Sequence, residues 1–158
     1  MFEKLFRKKE PDSQLISVIE YPKNYTFETY FKIETGLWKR TDLITICEKN
    51  TGESNLNNLI LKHLNYSKCV KEKNIDFKEM YENYKKLTSH SSIKKQMKDS
   101  KSVQIFRNDQ HIIFTPTKNG GTSGHNRGYT EIAERKIIID KNSENLASCL
   151  LMGFKECE

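Results

Sequence analysis

Short runs of β-branched and aromatic residues recur along this chain, and they restrict its fold more than any other feature. In the clearest run, residues 25–33, the side chains of Tyr25, Phe27, Thr29, Phe31 and Ile33 occupy every second position. A period of two places them on one face, so the pattern predicts a strand with one side buried. Comparable runs predict further strands at residues 14–20, 43–47, 102–106, 111–115 and 135–140.

Four other segments carry a helical period. Leu56, Leu59, Ile60 and Leu64 predict a helix over residues 54–65 that Ser54 caps. The next helix spans residues 76–87, begins at Asp76 and carries the apolar stripe Phe77, Met80, Tyr81, Tyr84 and Leu87. A short helix at about residues 91–98 follows, and Ser143 is expected to cap a last helix with Leu146, Leu150 and Phe154 on one face.

Strands outnumber helices in this pattern, and two of them, residues 102–106 and 111–115, form a hairpin around the turn at residues 107–110. We therefore expect an α+β fold with a mostly antiparallel β-sheet flanked by helices. A length of 158 residues fits one domain over residues 1–158. Residues 1–13 are expected to form a loosely ordered N-terminal segment.

The N-terminus and the cysteines indicate a cytoplasmic protein. Residues 1–10 are charged throughout and lack the continuous apolar core of a secretory signal peptide. The four cysteines, Cys47, Cys69, Cys149 and Cys157, include no CxxC pair and no histidine at zinc-site spacing. We expect reduced thiols, no metal and no cofactor.

The net charge of +6 is concentrated in one segment. Residues 61–101 hold eleven Lys against five acidic residues, whereas the segments on either side are neutral. A basic segment is able to neutralise phosphates, so a small nucleic-acid-binding protein is one hypothesis for this chain. Arg, which suits phosphate and base edges better, is missing from the segment, so a solvated Lys-rich helix or a protein-binding surface remain alternatives.

The glycine-rich stretch at residues 116–130 resembles a phosphate-binding loop only superficially. It lacks the lysine placement of a P-loop and leads toward a strand, so no helix N-terminus stands behind it. His125 in this stretch has no orienting carboxylate nearby in sequence, and no paired carboxylates stand out elsewhere. The sequence therefore favours a protein without enzymatic activity.

The same stretch reads better as a recognition surface, because loops carry binding residues more often than the elements they connect. Tyr and Arg are frequent in interface hot spots. Lys118, Asn119, Arg127 and Tyr129 are accordingly candidate contacts, with His125 beside them.

Three runs in the C-terminal half then resemble a known family. They are Ser91–Met97, Lys101–Ile105 and the stretch from Ile113 to Gly121, which contains Pro116-Thr117-Lys118-Asn119-Gly120. Together with the strand and helix that follow, they resemble the immunity proteins of contact-dependent growth inhibition, the CdiI family. The resemblance covers about residues 90–158.

This resemblance implies a small cytoplasmic α+β protein that binds and neutralises the C-terminal toxin domain of a neighbouring cell's effector. Such toxins are typically nucleases, and some complexes form when a toxin β-hairpin adds to the immunity protein's sheet. The expected toxin contacts are Lys118, Asn119, His125, Arg127 and Tyr129, together with Trp38 on the aromatic strand. A nucleic-acid-binding protein that uses the lysines of residues 61–101 is the alternative.

Overall fold

The computed structural model describes residues 12–158, so most of the N-terminal segment predicted at 1–13 lies outside the described residues. The strands and helices have the following bounds: β1 (Gln14–Glu20), β2 (Asn24–Lys32), β3 (Trp38–Glu48), α1 (Glu53–Tyr66), α2 (Phe77–Thr88), α3 (Ile93–Met97), β4 (Lys101–Arg107), β5 (His111–Asn119), β6 (Tyr129–Glu131), β7 (Ile137–Asp140) and α4 (Leu146–Lys155). A short 3₁₀ helix, Ala133–Arg135, precedes β7.

All seven strands join one antiparallel sheet. The order is β3-β2-β1-β4-β5-β6, and β7 also pairs with β5, beyond the stretch of β5 that pairs with β6. The central pair, β1 and β4, sets the register by placing Ile16 opposite Ile105 and Val18 opposite Val103. The predicted α+β fold with a mostly antiparallel sheet is therefore confirmed.

One face of the sheet forms the hydrophobic core. Side chains at every second position of the central strands point to this face, and α1 and α4 pack against them. The fully buried members include Phe27, Phe114, Ile60, Leu64 and Leu150. Gly153 of α4 lets the helix approach β4 closely, because a Cβ there would lie 3.1 Å from a Val103 methyl carbon.

The opposite face of the sheet is polar. Buried Ser17, Glu28, Ser102, Thr115 and Thr117 point to it from four strands. Part of this face lies under α2 and α3, which contribute Tyr84 and Met97 as buried side chains. The sheet is thus apolar on the side of α1 and α4 and polar on the side of α2 and α3.

Several predicted bounds are wrong. β3 begins at Trp38 rather than at residue 43, because residues 38–40 pair with residues 30–32 at the end of β2. A tight turn at Gly36, whose φ is 87°, connects the two strands, and a bulge separates this pairing from the rest of the ladder. β5 continues through residues 116–119, and β6 follows the remaining loop. These additional residues are strand because they pair with a neighbouring strand, and local residue preferences do not encode that pairing.

Two helix caps and one helix stripe also differ from the prediction. Gly52 and Asn145 occupy the N-cap positions expected for Ser54 and Ser143, and neither makes a side-chain capping bond. Asp76 caps α2 as predicted, accepting a hydrogen bond from the Glu79 amide. In α2 the stripe is only partly buried, since Phe77 is 65% exposed and Tyr84 is the buried aromatic residue.

His63 is a fully buried polar side chain of α1 at the core face. Its Nδ1 lies 2.7 Å from the Thr29 hydroxyl and its Nε2 lies 2.9 Å from the Thr45 hydroxyl. Burial, with a smaller contribution from Lys62, lowers its pKa from 6.5 to about 4. The neutral ring therefore bridges β2 and β3, and protonation would place an uncompensated charge in the core.

His63 predicts a loss of stability in mild acid. The unfolded chain binds this proton near pH 6.5 and the folded chain only near pH 4, so protonation favours unfolding. The free energy of unfolding should fall as the pH drops through this window, by on the order of 3 kcal/mol in total. Urea unfolding between pH 7.5 and 4.5 measures the slope. His63→Gln should flatten it, whereas His111→Gln, the same change at an exposed position, should not. Equal slopes for all three proteins would contradict this assignment.

Candidate functional site

The polar face of the sheet contains a cleft of about 260 Å³, which we call the polar cleft. Its floor comes from strands β1, β2, β3 and β4, and its walls come from α2, α3 and β6. The lining residues are Ser17, Ile19, Glu28, Tyr30, Arg40, Tyr84, Gln96, Met97, Ser102, Gln104 and Tyr129.

A buried ion pair lies in the polar cleft. Glu28 on β2 is 2% exposed, and its Oε1 lies 3.8 Å from Arg40 Nη1 on β3. The other oxygen, Oε2, accepts a hydrogen bond of 2.9 Å from the Tyr30 hydroxyl. The Arg40 guanidinium stacks on the Tyr84 ring, with its central carbon 3.5 Å from the ring centroid. Both charges are therefore held in fixed positions by aromatic neighbours.

The tyrosines of the polar cleft remain protonated hydrogen-bonding groups. Burial, followed by the negative charge of Glu28, raises the pKa of Tyr30 and of Tyr84 well above the ordinary value. Burial also raises the pKa of Tyr129 to about 12. The Tyr129 hydroxyl lies 2.5 Å from the Ser100 hydroxyl, which ties β6 to the segment after α3. The cleft thus presents neutral tyrosine hydroxyl groups around the Glu28–Arg40 ion pair.

Three buried polar atoms of the polar cleft have no hydrogen-bond partner among the described residues. They are Glu28 Oε1, Arg40 Nε and Gln96 Nε2. Each of these atoms is itself shielded from solvent, so all three lie within the packed walls and floor of the cleft and not on its open surface.

Next to the polar cleft, four apolar side chains cross the same face of the sheet, and we call them the apolar row. The strand registers align Leu15, Phe106, Ile113 and Ile138 on β1, β4, β5 and β7. The first three are half-buried and Ile138 is 59% exposed. Trp38 extends toward the row, with its ring edge-on to Phe106 at 6.5 Å between centroids. Contiguous exposed apolar groups on a polar face are typical of protein-binding surfaces.

β3 provides a free strand edge beside this face. Within residues 12–158, its only ladder partner is β2. The Lys49 amide donates to the Lys23 carbonyl, so it points toward β2. Because the amides of successive strand residues point alternately toward and away from the partner strand, those of Ile44 and Ile46 point away from β2. The outward-facing main-chain groups of this edge are available for hydrogen bonds with an added strand.

The predicted site residues fall into three groups, on the polar face, on an exposed loop and on β5. Trp38 and Tyr129 lie on the polar face, Trp38 beside the apolar row and Tyr129 in the wall of the polar cleft. His125 and Arg127 lie on the exposed loop between β5 and β6. Neither side chain makes a hydrogen bond or ion pair within the described residues, so the loop presents them to solvent.

Lys118 and Asn119 belong to β5 rather than to the loop. Lys118 Nζ lies 3.6 Å from a Glu158 carboxylate oxygen. The Asn119 amide donates to the carbonyls of Met97 and Ser100, and its oxygen accepts from the Gly121 amide. Asn119 therefore anchors α3 and the start of the glycine loop, which also depends on Gly120, where a Cβ would collide with the Asn126 carbonyl.

Apart from Tyr129, sequence reasoning missed the residues that form the polar cleft. Glu28, Arg40 and Gln96 are ordinary charged or amide residues of a strand or helix, with no motif around them. The one available signal was Glu28, a charged residue within the aromatic strand at residues 25–33. A charge among such residues indicates a polar sheet face, but it does not identify the partner.

Other functional features are limited among the described residues. No group of three or more His, Cys, Asp or Glu side chains is placed to hold a metal ion within residues 12–158. No helix in that range is both long and apolar enough to cross a membrane. The lysines of residues 61–101 are exposed except Lys85, which is half-buried and pairs with Glu82 at 2.8 Å.

Solved structures with the same fold are known. A Neisseria meningitidis protein of unknown function superposes with a TM-score of 0.79 at 13% identity, covering 94% of this chain and 98% of the other. A chain of the CdiA-CT/CdiI toxin and immunity complex from Yersinia pseudotuberculosis superposes with a TM-score of 0.74 at 17% identity, covering 92% and 98%. No protein-family model and no curated protein matches the sequence. These likenesses show the fold over nearly the whole chain.

The ion pair in the polar cleft predicts strong energetic coupling between its members. Arg40→Met leaves the Glu28 carboxylate buried without its counter-charge and should lower the free energy of unfolding by about 3 kcal/mol. Adding Glu28→Gln should restore at least about 1 kcal/mol, because the remaining polar group is neutral. Urea unfolding at pH 7 of the single and double variants measures this coupling. Strictly additive losses would show that the two charges do not stabilise each other.

Proposed function

We propose that this chain is a cytoplasmic immunity protein that binds and neutralises the toxin domain, of nuclease type, of a contact-dependent growth inhibition effector. Its fold is that of a chain from a toxin and immunity complex. Its own surface supports the proposal, because an apolar row, Trp38 and the β3 edge occupy one side of the sheet. Neutralisation in this scheme is masking of the toxin and requires no catalysis.

The observation that carries the proposal is the combination of a free edge at β3 and an apolar row on the same side of the sheet. A strand added to β3 would gain main-chain hydrogen bonds, and its side chains would lie next to side chains of β3 such as Trp38. The apolar row begins two strands further in, on β1, so a second segment of the partner would cover it. Trp and other aromatic residues dominate the binding energy of such interfaces. Nuclease–immunity pairs reach Kd values of about 10⁻¹³ M or below, so the proposed function calls for a tight complex.

The exposed residues predicted from the sequence extend this surface. We propose that His125 and Arg127 contact the toxin from the loop between β5 and β6, next to Tyr129 in the cleft wall. Lys118 and Asn119 are proposed as secondary contacts at the base of that loop, since part of their bonding capacity is already used internally.

Nucleic-acid binding through residues 61–101 is the competing function. Phosphate binding by those lysines would weaken steeply as salt increases, whereas a tight complex with a protein would persist at moderate salt. The polar cleft and the apolar row have no role in that alternative. We therefore place the function on the protein-binding face.

Trp38 predicts a direct test of the proposed function. The C-terminal domain of an effector encoded immediately upstream should arrest growth when expressed alone, and co-expression of this chain should restore growth. Trp38→Ala should weaken the complex at least about thirtyfold, the size of an interface hot spot, as measured by calorimetry. Phe77→Ala removes an aromatic ring on α2 that is more exposed than Trp38, and it should leave binding unchanged. Failure of the wild-type chain to bind or protect would overturn the function itself.

If a toxin strand adds to the β3 edge, removing one outward-facing amide of β3 should lower the affinity for the toxin. Ile46→Pro removes one outward amide and is tolerated on an edge strand, because the β2 ladder does not use that amide. It should weaken toxin binding about tenfold relative to Ile46→Ala, which keeps the amide and loses the side chain. Circular dichroism and urea unfolding serve as controls for folding. Equal affinities of the two variants would exclude strand addition at this edge.

A further inference from the structure

The apolar row lies at the point where the chain enters the sheet, on the side away from the hydrophobic core. We propose that Phe2, Leu5 and Phe6, from the N-terminal part of the chain outside the described residues, cover the apolar row when no partner is bound. The row is then a docking surface for the chain's own N-terminal segment. This covering does not depend on the proposed function, whereas its effect on a toxin does.

The apolar row is a contiguous strip that the described part of the chain leaves open. Leu15, Phe106 and Ile113 are half-buried, and Ile138 is 59% exposed. Helices α1 and α4 pack on the opposite face of the sheet, and α2 and α3 lie over the polar cleft. Removing apolar side chains from water is favourable, so an apolar segment within reach should bind to this strip.

The chain reaches the sheet directly beside the apolar row. Leu15 is the second residue of β1 and the first member of the row. Its amide donates to the Ser67 hydroxyl at 2.9 Å, and that hydroxyl donates to the Tyr30 carbonyl, so Ser67 bridges β1 and β2 where they separate. Residues 68–70 take the place of β1 along the end of β2. The chain before Leu15 is therefore unable to continue along β2.

The core side of this entry point is closed. Gln14 alternates with Ile16 and belongs to the core face, and Arg107 lies opposite it. The Arg107 guanidinium donates to the Gln14 side-chain oxygen at 2.9 Å and to the Asn65 side-chain oxygen at 3.0 Å. Asn65 is in the last turn of α1, so these side chains fill the space beside the core. The open side at this point is the one that carries the apolar row.

The N-terminal residues have the composition that an apolar strip requires. Phe2, Leu5 and Phe6 occupy positions i, i+3 and i+4, a spacing that places side chains on one face of a helix. Residues 3–4 and 7–10 are all charged, which suits the side that faces water. Three large apolar side chains are thus available to cover the row without burying a charge.

The distances permit this contact. The row crosses the four adjacent strands β1, β4, β5 and β7, which places its ends about 14 Å apart at the usual strand spacing. Phe6 precedes Asp12 by six residues, and such a link spans about 20 Å when extended. A short link also holds the segment near the row at an effective concentration of about a millimolar or more, so a weak contact is sufficient.

The covering is tested on the full chain with Trp38 as the reporter. Trp38 is the only tryptophan of the sequence, and its ring lies edge-on to Phe106. An apolar variant and a matched control are compared with the wild type: the variant carries Phe2→Ser, Leu5→Ser and Phe6→Ser, and the control carries Lys4→Ser, Lys8→Ser and Lys9→Ser. The acrylamide quenching constant of Trp38 should rise about twofold in the apolar variant, because the covered population is lost, and stay unchanged in the control.

The contact itself is observed by NMR. Ring protons of Phe2 and Phe6 should show NOEs to the methyl groups of Ile113 and Ile138. In a mixture of labelled and unlabelled chains, these NOEs should arise within one chain. NOEs between chains would assign the row to a second copy and overturn the proposal.

A change in the row provides a second, independent variant. Ile138→Ser alters an exposed side chain and is compatible with folding, which urea unfolding checks. It should raise the quenching of Trp38 in the wild-type chain and add nothing in the apolar variant, because the two changes break the same contact. Additive increases would show that the N-terminal side chains and the row do not touch.

The effect on the partner is tested with the toxin domain, and this step rests on the proposed function. The segment and the toxin would compete for the row. If the row is about nine-tenths covered, the apolar variant should bind the toxin about tenfold more tightly than the wild type. The matched control should bind with unchanged affinity.

The outcomes separate the covering from the proposed function. NOEs without any toxin complex would support the covering and overturn the immunity role. A toxin complex of equal affinity for the wild type and the apolar variant would keep the immunity role and overturn the competition for the row. Absent NOEs together with equal quenching in all three proteins would overturn the covering, whatever the toxin does.

Discussion

The register between β1 and β4 is the constraint on which the rest of this structure depends. It places Ile16 and Val18 opposite Ile105 and Val103, so every second residue of the sheet centre points into one apolar layer under α1 and α4. A shift by one residue would exchange the two faces and turn Ser17 and Ser102 of the same strands into the apolar core. The other face then receives the remaining side chains, which are polar at the centre and apolar along one end.

This division explains why an ion pair lies inside a sheet protein of this size. Glu28 follows Phe27 on β2, and when the phenyl ring enters the core the carboxylate must point to the opposite face. There it lies under α2, where a lone carboxylate would be costly, and Arg40 and Tyr30 offset that cost. Replacing such a buried pair by apolar residues of similar volume is often neutral or stabilising, whereas removing one partner alone is costly.

The sequence was informative where the side-chain period decides the structure and uninformative where pairing decides it. The alternation at residues 25–33 predicted β2 and its core face, and the stripe of Leu56, Ile60 and Leu64 predicted α1. The expectation that only one side of β2 is buried was wrong, because Thr26 and Glu28 on the other face are buried as well. Residues 38–42 lack such a period and become strand only because β2 extends beside them. Glu28, Arg40 and Gln96 are brought together from β2, β3 and α3, so their proximity depends on the whole sheet order, which no local pattern contains.

The arrangement of the polar face assigns different tasks to its parts. Main-chain groups of β3 are able to pair with a strand of almost any sequence, and the apolar row contacts apolar side chains with little selectivity. Both features therefore add affinity but do little to distinguish one partner from another. The polar cleft is more selective, because a charged side chain brought beside the buried Glu28–Arg40 pair would lose its hydration without gaining a counter-charge. Under the proposed immunity function, a protein that binds one toxin tightly and rejects related ones needs both kinds of contact. Their juxtaposition on one side of a single sheet, through Trp38 and Arg40 of the same strand, allows one docking event to use both.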